Sequence, residues 1–211
     1  QLFDDIYFDT ESGFQQSEHV FIKGNNIAEN LISTSGEFTI AETGFGTGLN
    51  FLLTLKLYRE LAQKYDLASL HYISTEKYPL TKVQLTKALD CLNQLNEEVE
   101  LLSLNYPELP SDKVECLFLD GRVKLTILFD DATQAFKGIN LPRKSDGIVN
   151  AWYLDGFSPA RNPDMWQVEL FEQMARLSKP QATLSTFTIA GFIRRGLEQV
   201  GFRLEKRSYT G

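Results

Sequence analysis

From Glu37 onward, short apolar runs rich in aromatic and β-branched residues alternate with longer stretches whose apolar positions recur at helical spacing. Phe38-Thr39-Ile40-Ala41 predicts a first strand, ended by a glycine-rich segment. Phe51 to Leu67, with Leu52, Leu55, Leu57 and Leu61 near helical period, predicts a helix, and Leu70 to Thr75 a second strand. Pro79 suits the first turn of another helix, carried by Val83, Leu85, Ala88 and Leu92 to about Leu104. Lys113–Leu119 and Arg122–Phe129 are strand-like runs joined by Asp120-Gly121, a hairpin signal. Ile148 to Leu154 is almost continuously apolar, the pattern of a strand covered on both faces. Beyond it a helix is expected from Pro163 through Leu177, with Met165, Trp166, Leu170, Phe171 and Met174 on its apolar side. A strand at Ala182–Phe187, a helix at Ala190–Val200 and a final strand at Phe202–Ser208 complete the series.

This alternation predicts a doubly wound, Rossmann-like α/β sheet with a β-hairpin insertion and ligands at the carboxyl ends of its strands. Residues 1–36 stand outside the pattern and are expected to form a short N-terminal cap on a domain spanning 37–211. Folds of this class usually add another strand after the last one here, so a C-terminal truncation is expected.

Composition changes this picture little. The chain has 211 residues, 43% hydrophobic and 23% charged, the proportions of an ordinary globular domain with room for a substantial core. Apolar runs stay short, which excludes a membrane-spanning helix, and the first residues lack the basic-then-apolar order of a secretory signal. A cytoplasmic location and a monomer are the expectations. Cys91 and Cys116 are far apart with no clustered histidines, so neither a zinc site nor a redox pair is expected, and no metal. His71 reads as a partly buried strand residue. The net charge of −7 argues against gripping nucleic acid over a wide surface, though not against a local basic patch. Arg161, Arg194, Arg195, Lys206 and Arg207 could form such a patch or simply be solvated.

Candidate chemistry lies where predicted strands end. Gly44, Gly46 and Gly48 follow a strand and precede a helix, where glycine allows a tight turn and close approach to a ligand. The dinucleotide fingerprint needs a sixth-position glycine, and Leu49 stands there instead. Glu42 precedes the loop; an acid is awkward beside a pyrophosphate but suits the ammonium of a methionine-type ligand. S-adenosyl-L-methionine is therefore favoured over a nicotinamide cofactor. Glu76 ends the second predicted strand, where a carboxylate can accept both ribose hydroxyls. Asp130 or Asp131 could accept from an adenine amine, or one of them could be a plain helix N-cap before Ala132. Asp155-Gly156-Phe157-Ser158-Pro159 follows the buried strand directly. Asp155 could orient an amine nucleophile and Phe157 could wall it from water, whereas a turn aspartate before glycine is the bland alternative. Tyr7 and Phe8 could anchor the cap or flank a base by stacking.

The segments AETGFGTGLNFLL (41–53), YISTEKYPL (72–80), AWYLDGFSPARNPDMW (151–166) and TFTIAGFIRRGLEQVGF (186–202) resemble the methyltransferase domains of the bacterial bifunctional MnmC proteins. DDIYF (4–8) and VF-x-x-GN (20–25) resemble their N-terminal part. The resemblance covers nearly the whole chain, and the segment LDGFSPARNPDMW carries most of its specificity. It implies a class I S-adenosylmethionine-dependent methyltransferase fold, with the cofactor held by the glycine loop, Glu76 and Asp131. It further implies methylation of the 5-aminomethyl group of 2-thiouridine at tRNA position 34, with Asp155 as the nucleophile's hydrogen-bond partner. Pro159 and Arg161 fall in the same loop and, with Tyr7 and Phe8, are the candidates for contact with an anticodon loop. In the bifunctional proteins an FAD-dependent oxidase domain follows; no FAD site is expected here, so the resemblance implies a stand-alone enzyme or an excised domain with that oxidase in cis. Thr86 to Asn105 is compact relative to the family. Three other readings stay open: a small-molecule amine methyltransferase, a non-catalytic S-adenosylmethionine-binding module, and a dehydrogenase, which Leu49 and Glu42 disfavour.

Overall fold

The structure, a computed structural model, describes residues 10–108, 111–143, 146–155, 165–188 and 190–205. Six strands form one sheet: β1 (Glu37–Thr43), β2 (Ser69–Thr75), β3 (Lys113–Phe118), β4 (Val123–Leu128), β5 (Val149–Leu154) and β6 (Ser178–Thr186), in the order β3-β4-β2-β1-β5-β6. All neighbours are parallel except β3, which runs antiparallel to β4. The path runs outward from β1 through β2 to β4 and then returns to the other side of β1 at β5. The crevice between the carboxyl ends of β1 and β5 is thus the topological switch point, where ligands bind in open α/β sheets.

One face of the sheet is covered by α1 (Thr10–Ser17), a π-helical turn (Glu18–Lys23), α2 (Ile27–Ser33), α3 (Leu49–Ala62), α4 (Lys82–Leu89) and α5 (Asn96–Asn105). The other face carries α6 (Ala132–Lys137), α7 (Val168–Leu177) and α8 (Gly191–Gln199). The strands' alternation sorts their side chains between these layers. Phe38, Ile40, Tyr72, Ala151 and Tyr153 join the α3 side, while Ala41, Ile73, Trp152 and Leu154 join the α7 side.

The N-terminal segment is built into the core. Phe21, Ile27 and Leu31 have no solvent exposure, and Phe21 stacks on Tyr153 with ring centroids 5.1 Å apart. Buried Asn25 donates to the carbonyls of Phe21 and Trp152, at 3.0 and 3.2 Å, tying this segment to β5. Gly24 lets the turn close tightly against β6, since a Cβ there would lie 2.0 Å from the Val20 carbonyl oxygen and 2.5 Å from Ser185 Oγ.

Several boundaries differ from those expected. The helix expected from Pro79 to Leu104 is two helices joined by a 3-10 turn at Asn93–Leu95, and its cap is Thr81, which forms a capping box with Gln84. A single helix of that length would reach about 39 Å, whereas folding it back buries Leu85, Leu89, Leu95 and Leu102 on one sheet face. The hairpin at Asp120-Gly121 exists, but its connection is the four residues Leu119 to Arg122, three of them with positive φ. Strand β6 starts at Ser178, directly after α7, rather than at Ala182. No strand forms at Phe202–Glu205. There Gly201, at φ +104°, closes α8 with the paired bonds Gly201 N–H to Glu198 and Phe202 N–H to Leu197, so the chain turns away instead of entering the sheet. The remainder of that expected strand, 206–208, lies outside the described residues, as does the expected helix start at Pro163.

Candidate active site

Four carboxylates lie at successive strand ends. Asp131 follows β4, Glu76 follows β2, Glu42 is the penultimate residue of β1, and Asp155 follows β5. At a strand spacing of about 4.8 Å these four places span roughly 14 Å along the sheet edge. The loop of Gly44, Gly46 and Gly48 rises from the middle of this row. Its glycines have φ of +90°, +54° and +81°, the left-handed region that glycine enters without strain. The amides of Gly44 and Phe45 donate to the Thr75 carbonyl, which pins the loop to the end of β2. A Cβ on Gly46 would meet nothing within 4 Å, so this bend faces open space.

Glu76 closes over the loop, accepting from the Gly46 amide and the Tyr78 amide, each at 2.8 Å. Asp131 is the N-cap of α6, accepting from the Thr133 amide at 3.0 Å, and its other oxygen lies 3.7 Å from Lys77. The capping alternative is therefore realised at Asp131, while Asp130 bonds the Asp131 amide. Capping uses one carboxylate oxygen and leaves Asp131 at the row's end.

Glu42 lies deepest. Only 1% of it is exposed, and its carboxyl accepts from Asn50 Nδ2 at 2.8 Å and from Ser74 Oγ at 2.7 Å. Burial, reinforced by the nearby charge of Asp155, pushes its pKa up to about 8 against the pull of those hydrogen bonds. Asn50 Nδ2 also donates to Asp155 Oδ2 at 2.8 Å, and Thr43 Oγ1 donates to the Asp155 carbonyl at 2.5 Å. Glu42 is registered opposite Tyr153, so Asp155 leaves the sheet beside Gly44, as expected of the switch point. Below this group Tyr153 shares a 3.2 Å hydrogen bond with Thr54, and burial holds the Tyr72 and Tyr153 phenols well above their ordinary range.

Tyr7, Phe8, Phe157, Pro159, Arg161, Lys206 and Arg207 lie outside the described residues. Of the remaining basic candidates, Arg194 is paired with Glu198 along α8 at 2.9 Å. His71 is half-buried, its Nε2 2.9 Å from Thr126 Oγ1, and burial lowers its pKa. Among the described residues no group of three or more His, Cys, Asp or Glu is placed to hold a metal, and no helix is long and apolar enough to cross a membrane.

Asn50 was missed in the sequence. Its one signal is periodicity: it stands one turn before Leu53 and Thr54 on the buried side of α3, where an apolar residue is the norm.

Comparison with known proteins agrees with this geometry. A family model described as S-adenosyl-L-methionine-dependent methyltransferase matches residues 93–211, more than half of the chain. The chain belongs to that family. Its methyl donor is accordingly S-adenosyl-L-methionine, and the row of acceptors fits a ligand that carries hydrogen-bond donors along its length. A relative of similar sequence is the tRNA 5-methylaminomethyl-2-thiouridine biosynthesis bifunctional protein MnmC of Aeromonas hydrophila, 43% identical over 206 residues. That match covers 97% of this chain and 31% of the relative. The protein of the same name from Pseudoalteromonas translucida is 45% identical over 213 residues, covering 97% and 32%. The chain thus spans about a third of the length of the curated relatives it matches. Among solved structures, MNMC2 from Aquifex aeolicus superposes with a TM-score of 0.72 at 22% identity, over 90% of this chain and 55% of that one, which bears out the fold.

Proposed function

We propose that this methyltransferase transfers a methyl group to the 5-aminomethyl nitrogen of (2-thio)uridine at the wobble position of tRNA. The observation that carries the reading is Asp155, held by Asn50 and Thr43 across the switch point from the glycine loop. A carboxylate at this place can accept from an amine and leave its lone pair pointing at the methyl group. The relatives' printed name supports the choice of acceptor.

In this reading Asp131 accepts from the adenine amine, Glu76 from the ribose hydroxyls and Glu42 faces the ammonium. The backbone around Gly46 lets the nucleoside approach. Glu76 must exchange its bonds to the Gly46 and Tyr78 amides for the ligand's hydroxyls. S-adenosylmethionine, when bound, supplies an electrophilic methyl on a sulfonium. Asp155 orients the amine by accepting one N–H; as the C–N bond forms and the methyl–sulfur bond breaks, it takes up, or passes to water, the proton that the nitrogen loses. Phe157, Pro159, Arg161, Tyr7 and Phe8 are proposed to contact the anticodon loop, a single-stranded target that local stacking can read despite the acidic net charge. We further propose a cytoplasmic enzyme working with an FAD-dependent oxidase domain in cis, which would add affinity for the shared tRNA.

Labelled S-adenosylmethionine should transfer its methyl to tRNA bearing 5-aminomethyl-2-thiouridine. Transfer to unmodified tRNA or to free small amines, with none to that substrate, would overturn the reading in favour of a different acceptor.

A further inference from the structure

We propose that Asn50 is a positioning residue that clamps Asp155 to Glu42 and couples the two carboxyls to each other. This rests on the reading of Asp155 as the amine's partner and goes beyond it.

The geometry is specific. Both contacts of Asn50 come from one atom, Nδ2, which reaches Glu42 Oε1 and Asp155 Oδ2 at 2.8 Å each. An amide nitrogen has two hydrogens, so two acceptors exhaust it and define the orientation of the side chain. The arrangement is costly, because Asn50 is 6% exposed and its Oδ1 is buried with no hydrogen-bond partner. A helix packed on a sheet has no packing reason to place an amide there. Two acids bridged through one nitrogen are close enough for each to feel the other's charge. The groups that face Glu42 are Ser74 and Tyr72 from β2, Tyr153 from β5, Asp155 just after it, and Asn50 from α3; the interactions that set its ionisation include no cation.

In the free protein burial raises Glu42 to about 8, so near neutral pH it holds its proton. An ammonium group arriving at the end of β1 favours the ionised form of Glu42. Cofactor binding then expels that proton; the ammonium offsets the new charge on Glu42 through space, but ionised Glu42 draws Asn50 Nδ2 more strongly, so the shared amide donates less to Asp155 and leaves it a better acceptor as the methyl donor comes into place. The acceptor thereby gains strength when the cofactor is bound.

Two measurements test this on the whole chain. Calorimetric titration with S-adenosylhomocysteine, in buffers of different ionisation enthalpy and across pH, counts protons released and requires no tRNA. The wild type should release up to about one proton at pH 7, with release fading as pH passes the free protein's value for Glu42. Asp155→Asn should move that fading point down by about one unit. In an Asn50→Leu background the same change should move it little, because Asp155 is no longer held there. On aminomethyl-tRNA, Asn50→Leu should lower kcat at least ~10-fold with the KM for tRNA unchanged, and should add little to Asp155→Asn. Asn50→Ser, which keeps one donor, carries the same comparison should Asn50→Leu not fold. Wild-type kcat and an unmoved fading point in Asn50→Leu, whatever its melting temperature, would overturn the proposal, as would effects of Asn50→Leu and Asp155→Asn that multiply. Wild-type inactivity on aminomethyl-tRNA would sink the substrate reading, while proton release without the coupling would sink only this one.

Discussion

The two faces of β5 show how differently one sheet can be used. Trp152 and Leu154 point into the α7 layer, among Phe136, Leu170, Phe171, Met174 and Leu177, all with 1% exposure or less. Trp152 has one polar atom, and its Nε1 is satisfied by Ser178 Oγ at 2.8 Å. Tyr153 and Asp155 belong to the opposite face, where Glu42, Asn50, Thr54 and Ser74 are also buried. The apolar face gains stability from close packing alone. The polar face gives up some of that stability by burying a carboxyl, and gains an arrangement of acceptors beside an open loop. Strand alternation lets one segment serve both ends.

This contrast can be broken at four places, from the largest expected effect to the smallest. Asp155→Ala should cut methyl transfer roughly 10²–10⁴-fold while calorimetry shows cofactor affinity kept, or raised a few-fold as Glu42 loses a neighbouring charge; an equal loss of affinity would make Asp155 a cofactor ligand instead. Glu42→Gln probes the cost of the polar face. Because the folded-state value is raised from 4.5 to about 8, the folded protein holds a proton that the unfolded chain has already released, and stability falls as pH rises between those values. Glu42→Gln removes that slope, so at pH 8 the variant should gain roughly 3–4 kcal/mol relative to wild type compared with pH 5. Urea unfolding at both pH values checks it, and parallel pH profiles for the two proteins would refute the buried-acid account. On the apolar face, Met174→Ala should lose about 2–5 kcal/mol in the same unfolding experiment with cofactor affinity intact. Asp131→Ala should lose about 0.5–2 kcal/mol through its cap and weaken cofactor binding as well; stability loss alone would confine Asp131 to capping.

Local patterns made much of the fold legible. Every strand predicted between Phe38 and Phe187 exists, with end shifts of a few residues: β1, β2, β4 and β5, largely covered on both faces, leave apolar runs, and the edge strand β3 leaves a strict alternation of exposed and buried positions. The break between α4 and α5 was invisible: Cys91-Leu92-Asn93 contains neither glycine nor proline, and only packing on the sheet rules out the longer helix. The end of the chain's helical series shows the opposite case, since Gly201 carried a stop signal that the apolar letters around it obscured. In the site, Glu42, Glu76 and Asp155 could be picked out as acids at strand ends, and Asp130-Asp131 as a pair from which the family resemblance chose Asp131. Asn50 could not, because a single polar residue on an apolar helix face says nothing about its partners.

By itself, then, the sequence determined the order of elements, the glycine loop and the identity of the acids around it, since these depend on residue type and on spacings of a few positions. Which acid stays buried, which one caps a helix and which two share an amide were decided only by the tertiary structure. Those properties depend on distances between β1, β2, α3 and β5, segments joined in space by the crossovers of the sheet. The charge on a carboxyl is set by what surrounds it, and its surroundings here lie 8, 32 and over 100 residues away along the chain.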